Sequence, residues 1–303
     1  MTNQNVQLYP SKVRIVPNCK LAKVTSNLTN SSYGKLINGK EADIVEKKKN
    51  KKRAEVVSTF TITNDKNYDG TEPLNFFDYS VLSVCISEME NGNMCTTPAV
   101  ILRGLTGKTT GASGGTHNGA INPDQRNAIM ASVTKLMGTV IKIDNSNVNK
   151  EFGYNEGKAE IITDTILPCH FVTSLINGQP AEDTIFFDRQ SPIFTTADRR
   201  NQIIRYDTEL LDVPNQNNTP LVITIKNYVI LRIMEIKLHK MTPTITLDDI
   251  FKKARITNKP NVIKLRAREY IEEFFKHLQT KGVIKSFEWT KKRNKFYGVS
   301  FTF

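Results

Sequence analysis

Apolar residues begin to recur at helical spacing from Leu74, with Phe77, Val81, Leu82, Val84, Cys85, Ile86 and Met89, and Glu90-Asn-Gly-Asn93 ends the run. A second helix is expected from Thr96-Thr97-Pro98, where a hydroxyl can cap and proline suits the first helical position; it passes through Val100, Ile101 and Leu102 to Leu105. A third opens at Asn122-Pro123-Asp124-Gln125, a capping box, with Ile129, Met130, Val133, Leu136 and Met137 along one side. Two β-like pieces follow, Val140 to Asp144 and Ala159 to Leu167. Helix, helix, turn, helix and two strands around a polar tip is the order of a winged helix-turn-helix.

Between Phe186 and Lys240 the pattern is less regular. It predicts a helix around Ala197 to Leu211 with its exit at Pro214, a loop at 215–220, and a long apolar-striped helix. That stripe runs through Val222, Ile225, Tyr228, Val229, Leu231, Ile233, Ile236 and Leu238 and suits a bridge between two domains. The chain then repeats the earlier order. Thr246-Leu-Asp-Asp249 is a capping box opening a short helix, and Asn258 to Asn261 makes a turn. A long helix carries Ile263, Ala267, Ile271, Phe274 and Leu278 on one stripe and stops at Lys281-Gly282. The strands VIKSFEW and FYGVSFTF, joined by TKKRNK, close the chain. The expected fold is α+β and helix-rich: two tandem winged helix-turn-helix domains, 73–240 with the linker helix and 241–303, behind a basic, largely flexible arm at 1–72. Within the arm, only Val56 to Thr63 reads as a short strand.

Residues 104–111, GLTGKTTG, contain Gly-Lys-Thr and raise the question of a phosphate loop. That loop needs four residues between its two glycines and a strand before it, whereas Gly104 and Gly107 have only two residues between them and follow a helix pattern. The segment is therefore read as a helix terminator, and no ATP binding is expected.

Charge changes the picture more than composition does. The chain of 303 residues carries a net charge of +12. Residues 1–72 hold 13 Lys+Arg against 7 Asp+Glu, residues 73–241 hold 15 against 17, and residues 242–303 hold 14 against 6, giving +6, −2 and +8. Two basic ends around a neutral middle favour a polyanionic partner. In the last segment, Lys259, Lys264, Arg266 and Arg268 gather at the start of the long helix, and Lys291, Lys292, Arg293 and Lys295 at the hairpin tip. A groove-reading helix presents its N-terminal half to base edges while the wing meets phosphate or minor groove, so these eight residues are the candidate DNA contacts. A solvated helix face with a lysine-protected strand edge is the alternative. Lys108, Arg126 and Lys135 are the corresponding candidates in the first domain, and the EKKKNKKR run at 46–53 is either a phosphate-binding arm or a solvated tail.

Enzyme chemistry finds little support. Cys19, Cys85, Cys95 and Cys169 form no CxxC pair and no zinc spacing, so neither metal nor cofactor is expected. A nicking enzyme would want a tyrosine nucleophile beside clustered histidines, but His117, His170, His239 and His277 are scattered, and Tyr206 and Tyr270 lie in helix patterns. Cys169 and His170, adjacent on a strand, would point to opposite faces. No apolar run approaches a membrane span and no secretory pattern opens the chain, so a cytoplasmic location is expected.

The stretches LNFFDYSVLSVCISEMENGN, TPLVITIKNYVILRIMEIK and YIEEFFKHLQTKGVIKSFEW, in this tandem arrangement over residues 70–303, resemble the RepA-like replication initiators of low-copy plasmids and mobile elements. The resemblance implies binding to repeated origin sites on double-stranded DNA, opening of a neighbouring A·T-rich region, a homodimer built through the first domain, and a host helicase or initiator as partner. It places the DNA-reading helices at Asn122 to Met137 and Val262 to His277. A transcriptional regulator built from the same modules is the competing expectation.

Overall fold

The computed structural model describes residues 10–19, 22–23, 42–47, 54–64, 73–108, 121–144, 161–176, 179–293 and 295–303. The first expected helix is α1 (Phe76–Glu90), and its capping box is made by Asn75, whose side chain accepts from the amides of Phe77 and Asp78, with Asp78 as the reciprocal acceptor. After the two-residue strand β4 (Cys95–Thr96), α2 (Pro98–Thr106) starts at the Thr97 cap and ends at Gly107 in the left-handed region (φ 88). The glycine segment thus terminates a helix, as expected; Thr109 and the ASGGTHNG stretch lie outside the described residues. The third helix, α3 (Pro123–Gly138), has its Asn122/Gln125 capping box.

Beyond α3 the sheets depart from a simple wing. Strands β5 (Thr139–Asp144) and β6 (Ile161–Thr165) pair antiparallel as expected, but β2 (Ala42–Lys47) and β3 (Ala54–Asn64) extend them into a sheet of order β2-β3-β5-β6. β3 contains the expected Val56 to Thr63 strand. A hairpin not anticipated from the sequence, β7 (Cys169–Ile176) with β8 (Gln179–Phe187), recruits β4 instead.

The segment around 10–17 corrects the flexible-arm expectation for part of 1–72. Strand β1 (Val13–Pro17) pairs with β9 (Ile203–Asp207), and Arg14 is buried to the guanidinium. That group donates to the carbonyls of Ser80 on α1 (3.2 Å) and Gly104 on α2 (2.5 Å), and burial pulls its pKa down. Glu88 accepts from the Ser11 amide at 2.7 Å and Asn93 at 2.7 Å. A buried guanidinium is tolerable only with such partners, so β1 is bolted to both helices. Residues 48–53 of the basic run lie outside the described residues.

β9 also corrects the helix expected over 197–211. The helix, α4 (Pro192–Arg199), stops early, and Ile203–Asp207 alternates in burial, with Ile204 and Tyr206 inside and Arg205 and Asp207 outside. That period of two belongs to a strand. A 3-10 turn (Thr208–Leu211) follows, and Gly107 packs against it so closely that a Cβ there would lie 2.3 Å from the Asp212 nitrogen.

The long helix α5 (Pro220–His239) is apolar on nearly every side because it is covered on nearly every side: α1 and α2 pack on one flank, and α6 (Leu247–Lys253) and α7 (Asn261–Thr280) on the other. It is therefore shared by the first unit and the C-terminal unit. Strand β10 (Thr244–Thr246), α6, α7 and the hairpin β11 (Ser286–Lys292) and β12 (Lys295–Thr302) complete that unit, with sheet order β10-β12-β11. Gly298 lets β10 approach: a Cβ there would meet the Ile245 carbonyl oxygen at 2.5 Å. The two units share one continuous apolar core around α5.

Candidate nucleic-acid interface

In α7 the buried positions Ala267, Ile271, Phe274, Phe275 and Leu278 face the core. At 3.6 residues per turn, Val262, Leu265, Arg266, Glu269 and Glu273 fall on the opposite side, and all five are exposed. Arg266 thus points away from the protein in the second turn. The helix begins after Pro260, which offers no side-chain cap, so its first amides and the positive end of its dipole face outward. Lys259 is exposed just before it, and Lys264 is half-buried on its flank.

Arg268 has a different job from Arg266. Its guanidinium lies over the Phe296 ring, 4.7 Å from the centroid, and Lys291 approaches the same ring at 5.2 Å. Trp289 meets Phe296 edge-on at 5.5 Å and donates through Nε1 to Glu272 at 3.3 Å. Arg268 and Glu272, one turn apart, therefore hold the hairpin against the helix and fix its angle. The ladder slips between Thr290 and Lys291, and Arg293 takes the left-handed conformation (φ 50) at the tip. Lys291, Lys292, Arg293 and Lys295 are all exposed, and Lys292 sits 5.7 Å from the ring of the exposed Tyr297. Cations alternating with aromatic faces beside an outward helix make a surface suited to a nucleic-acid backbone and its grooves.

The first-unit candidates are placed otherwise. Lys135 turns inward: its Nζ lies 2.9 Å from Asp78 Oδ2, with side-chain exposures of 13% and 1%. This removes it as a phosphate contact. Arg126 is held by Asp183 at 2.5 Å, a residue of the unanticipated β7–β8 hairpin that also accepts from Thr173. The exposed positions of α3 are Pro123, Asp124, Asn127 and Ala131, and its two cations are drawn to Asp183 and Asp78. Lys108 is exposed but stands by Lys226 and the 3-10 turn, which neighbour His277. His277 is eleven residues from Arg266, roughly 16 Å along α7. The structure therefore brings together the C-terminal candidates and not the three of the first unit.

The two units are tied by the loop 212–219. Gln125 donates to the Asn218 carbonyl at 2.7 Å, Lys226 Nζ reaches Leu211 O and Asn218 Oδ1, each at 2.9 Å, and Gln216 donates to Glu273 on α7 at 3.1 Å. Burial lowers the Lys226 pKa to about 8.

The residues weighed for catalysis are engaged elsewhere. Tyr206 is buried in the β1–β9 pair, and burial raises its pKa. Cys169 is buried while His170 is exposed on the other face, stacked on Phe186 with Nδ1 2.7 Å from Asp188. All four cysteines are free, and among the described residues no group of three His, Cys, Asp or Glu side chains could hold a metal ion. Nor is any helix among them long and apolar enough to cross a membrane.

No family model matches the sequence, and no curated protein does. Among solved structures, the crystal structure of RctB domains 2–3 aligns over 86% of this chain and 91% of its own, with a TM-score of 0.42 and 12% identity. A structure of selenomethionine derivatives of RctB domains 2 and 3 covers the same shares with a TM-score of 0.36 and 10% identity. At these values the likeness carries no functional assignment, and function has to be read from the chain itself.

Proposed function

We propose that the protein is a sequence-specific double-stranded DNA-binding replication initiator of a plasmid or mobile element, whose C-terminal unit is a winged helix-turn-helix that reads the major groove with α7. One observation carries this reading: the outward face of α7 starts with Arg266 beyond an uncapped helix end, and the hairpin locked to its flank by Arg268 and Glu272 bears Lys291, Lys292, Arg293 and Lys295. In this reading Arg266 pairs with a base edge, the hairpin cations contact phosphates, and Arg268 sets the angle between the two. The helix order α5, α6, α7 with β10-β12-β11 supports the winged arrangement. The first unit, whose α3 cations Arg126 and Lys135 are paired with Asp183 and Asp78, contributes less to groove reading, and self-association through it is part of the proposal. No catalytic step is involved.

The test is selection of bound fragments from the genome or element that encodes the protein, followed by footprinting at two salt concentrations. Protection of several directly repeated sites beside an A·T-rich tract supports the initiator. A single palindrome near a promoter replaces it with a transcriptional regulator, and a steep salt slope without sequence preference rejects both.

A further inference from the structure

The outward face of α7 opens with two apolar side chains as well as an arginine: Val262 is 55% exposed and Leu265 47%. They stand three residues apart in the first two turns, so they form one small apolar spot, and Arg266 adjoins it. Burying them would be favourable, yet among the described residues the core leaves both exposed. The spot ends at Glu269 and Glu273, both charged or polar-bonded, which leaves it far smaller than the area a stable protein partner buries. Its surroundings are cationic, with Lys259 before it, Lys264 on the helix flank, and Arg268 one turn on sharing the Phe296 ring with Lys291 of the hairpin, whereas protein interfaces are depleted of lysine. A small apolar spot in cationic surroundings is complementary to the one apolar group that a polyanionic groove displays, the C5-methyl of thymine.

We propose that Val262 and Leu265 are specificity-determining residues that read thymine methyl groups in the major groove next to the base contacted by Arg266. The proposal rests on the duplex-reading assignment and adds a base class to it: the half-site entered by α7 contains at least one thymine whose methyl is buried against these side chains. Glu269, one turn beyond Leu265 and Arg266, closes the apolar spot on the side where a cytosine amino group could donate to it.

The experiment uses the full chain and a duplex recovered by selection from a random pool, compared with the same duplex carrying deoxyuridine in place of each thymine in turn. The replacement deletes the methyl and leaves every hydrogen-bonding group in place. At one or two positions wild type should bind the uracil duplex about three- to fivefold more weakly, the factor that burial of one methyl carries. The variant V262A/L265A, altered only at exposed positions, should bind thymine and uracil duplexes alike. If wild type treats the two duplexes equally while R266A still loses sequence preference, the methyl contact is refuted and the duplex-reading assignment stands. If selection recovers no preferred sequence, both fall. If V262A/L265A keeps the thymine preference but abolishes self-association in sedimentation, the spot is a protein contact and the proposal is overturned.

Discussion

Lys135 separates a structural role from a DNA contact most cleanly, because the two make opposite predictions for one substitution. Asp78 is 1% exposed and receives three hydrogen bonds: Lys135 Nζ and the Asn75 amide on Oδ2, both at 2.9 Å, and Ser132 Oγ on Oδ1 at 2.7 Å. Lys135→Met strips the only cation among these partners and leaves a buried carboxylate on two neutral donors. Breaking a buried pair costs about 3–5 kcal/mol. The surviving donors and the partial exposure of Lys135 place this case at the lower end, about 3 kcal/mol. Urea denaturation followed by circular dichroism gives the loss, and the D78N/K135M double variant should recover part of it, with a coupling of about 1–3 kcal/mol. Affinity for a random duplex, measured by fluorescence anisotropy where the variant is still folded, should match wild type. Full stability combined with weakened DNA binding would refute the inward assignment and restore Lys135 as a phosphate contact.

Gly107→Ala places a Cβ 2.3 Å from a backbone nitrogen at φ 88, whereas Gly92→Ala, at φ 86, meets nothing within 4 Å. The second should cost only the left-handed penalty of about 1–2 kcal/mol and the first clearly more; equal losses in thermal melts would contradict the close packing of Gly107 on the 3-10 turn. Because Gly107 ends a helix, calorimetry should detect no ATP binding, and micromolar affinity would overturn that reading. Lys226 has a folded pKa of about 8 against 10.5 for the exposed amine, so between those values the unfolded chain retains a proton that the folded chain has released. Its contribution to stability therefore rises as pH climbs above 8 and is lost as pH falls through 8. Stability measured at pH 7 and 9 should rise more in wild type than in Lys226→Met, and parallel profiles would contradict the burial of that charge.

What the sequence disclosed depended on how local the determinant was. Thr97, Asn122 and Thr246 each cap the helix that follows, and each lies within three residues of the amide that donates to it, so those helix starts were legible. The C-terminal unit was legible for the same reason, since its elements follow one another without interruption. Strand β9 was missed because IIRYD sits between two helix-like stretches and its partner is β1, some 190 residues earlier. VRIVP was lost in a polar segment because only the fold supplies carbonyls for Arg14. The same limit misplaced Lys135 and Arg126: a sequence displays a cation but not the carboxylate, Asp78 or Asp183, that a distant element brings to it. Arg266 and Arg268 were read together, and their separate roles follow from the outward position of the one and the stacking of the other on the hairpin's Phe296.

Base reading by α7 and a backbone grip by the hairpin are separated by titrating wild type, R266A and K292A against the selected duplex and a random one over a range of salt. R266A should lose about 1–3 kcal/mol on the selected duplex and little on the random one. K292A should weaken both alike and reduce the salt slope by about one. Equal losses on both duplexes for R266A would contradict the account.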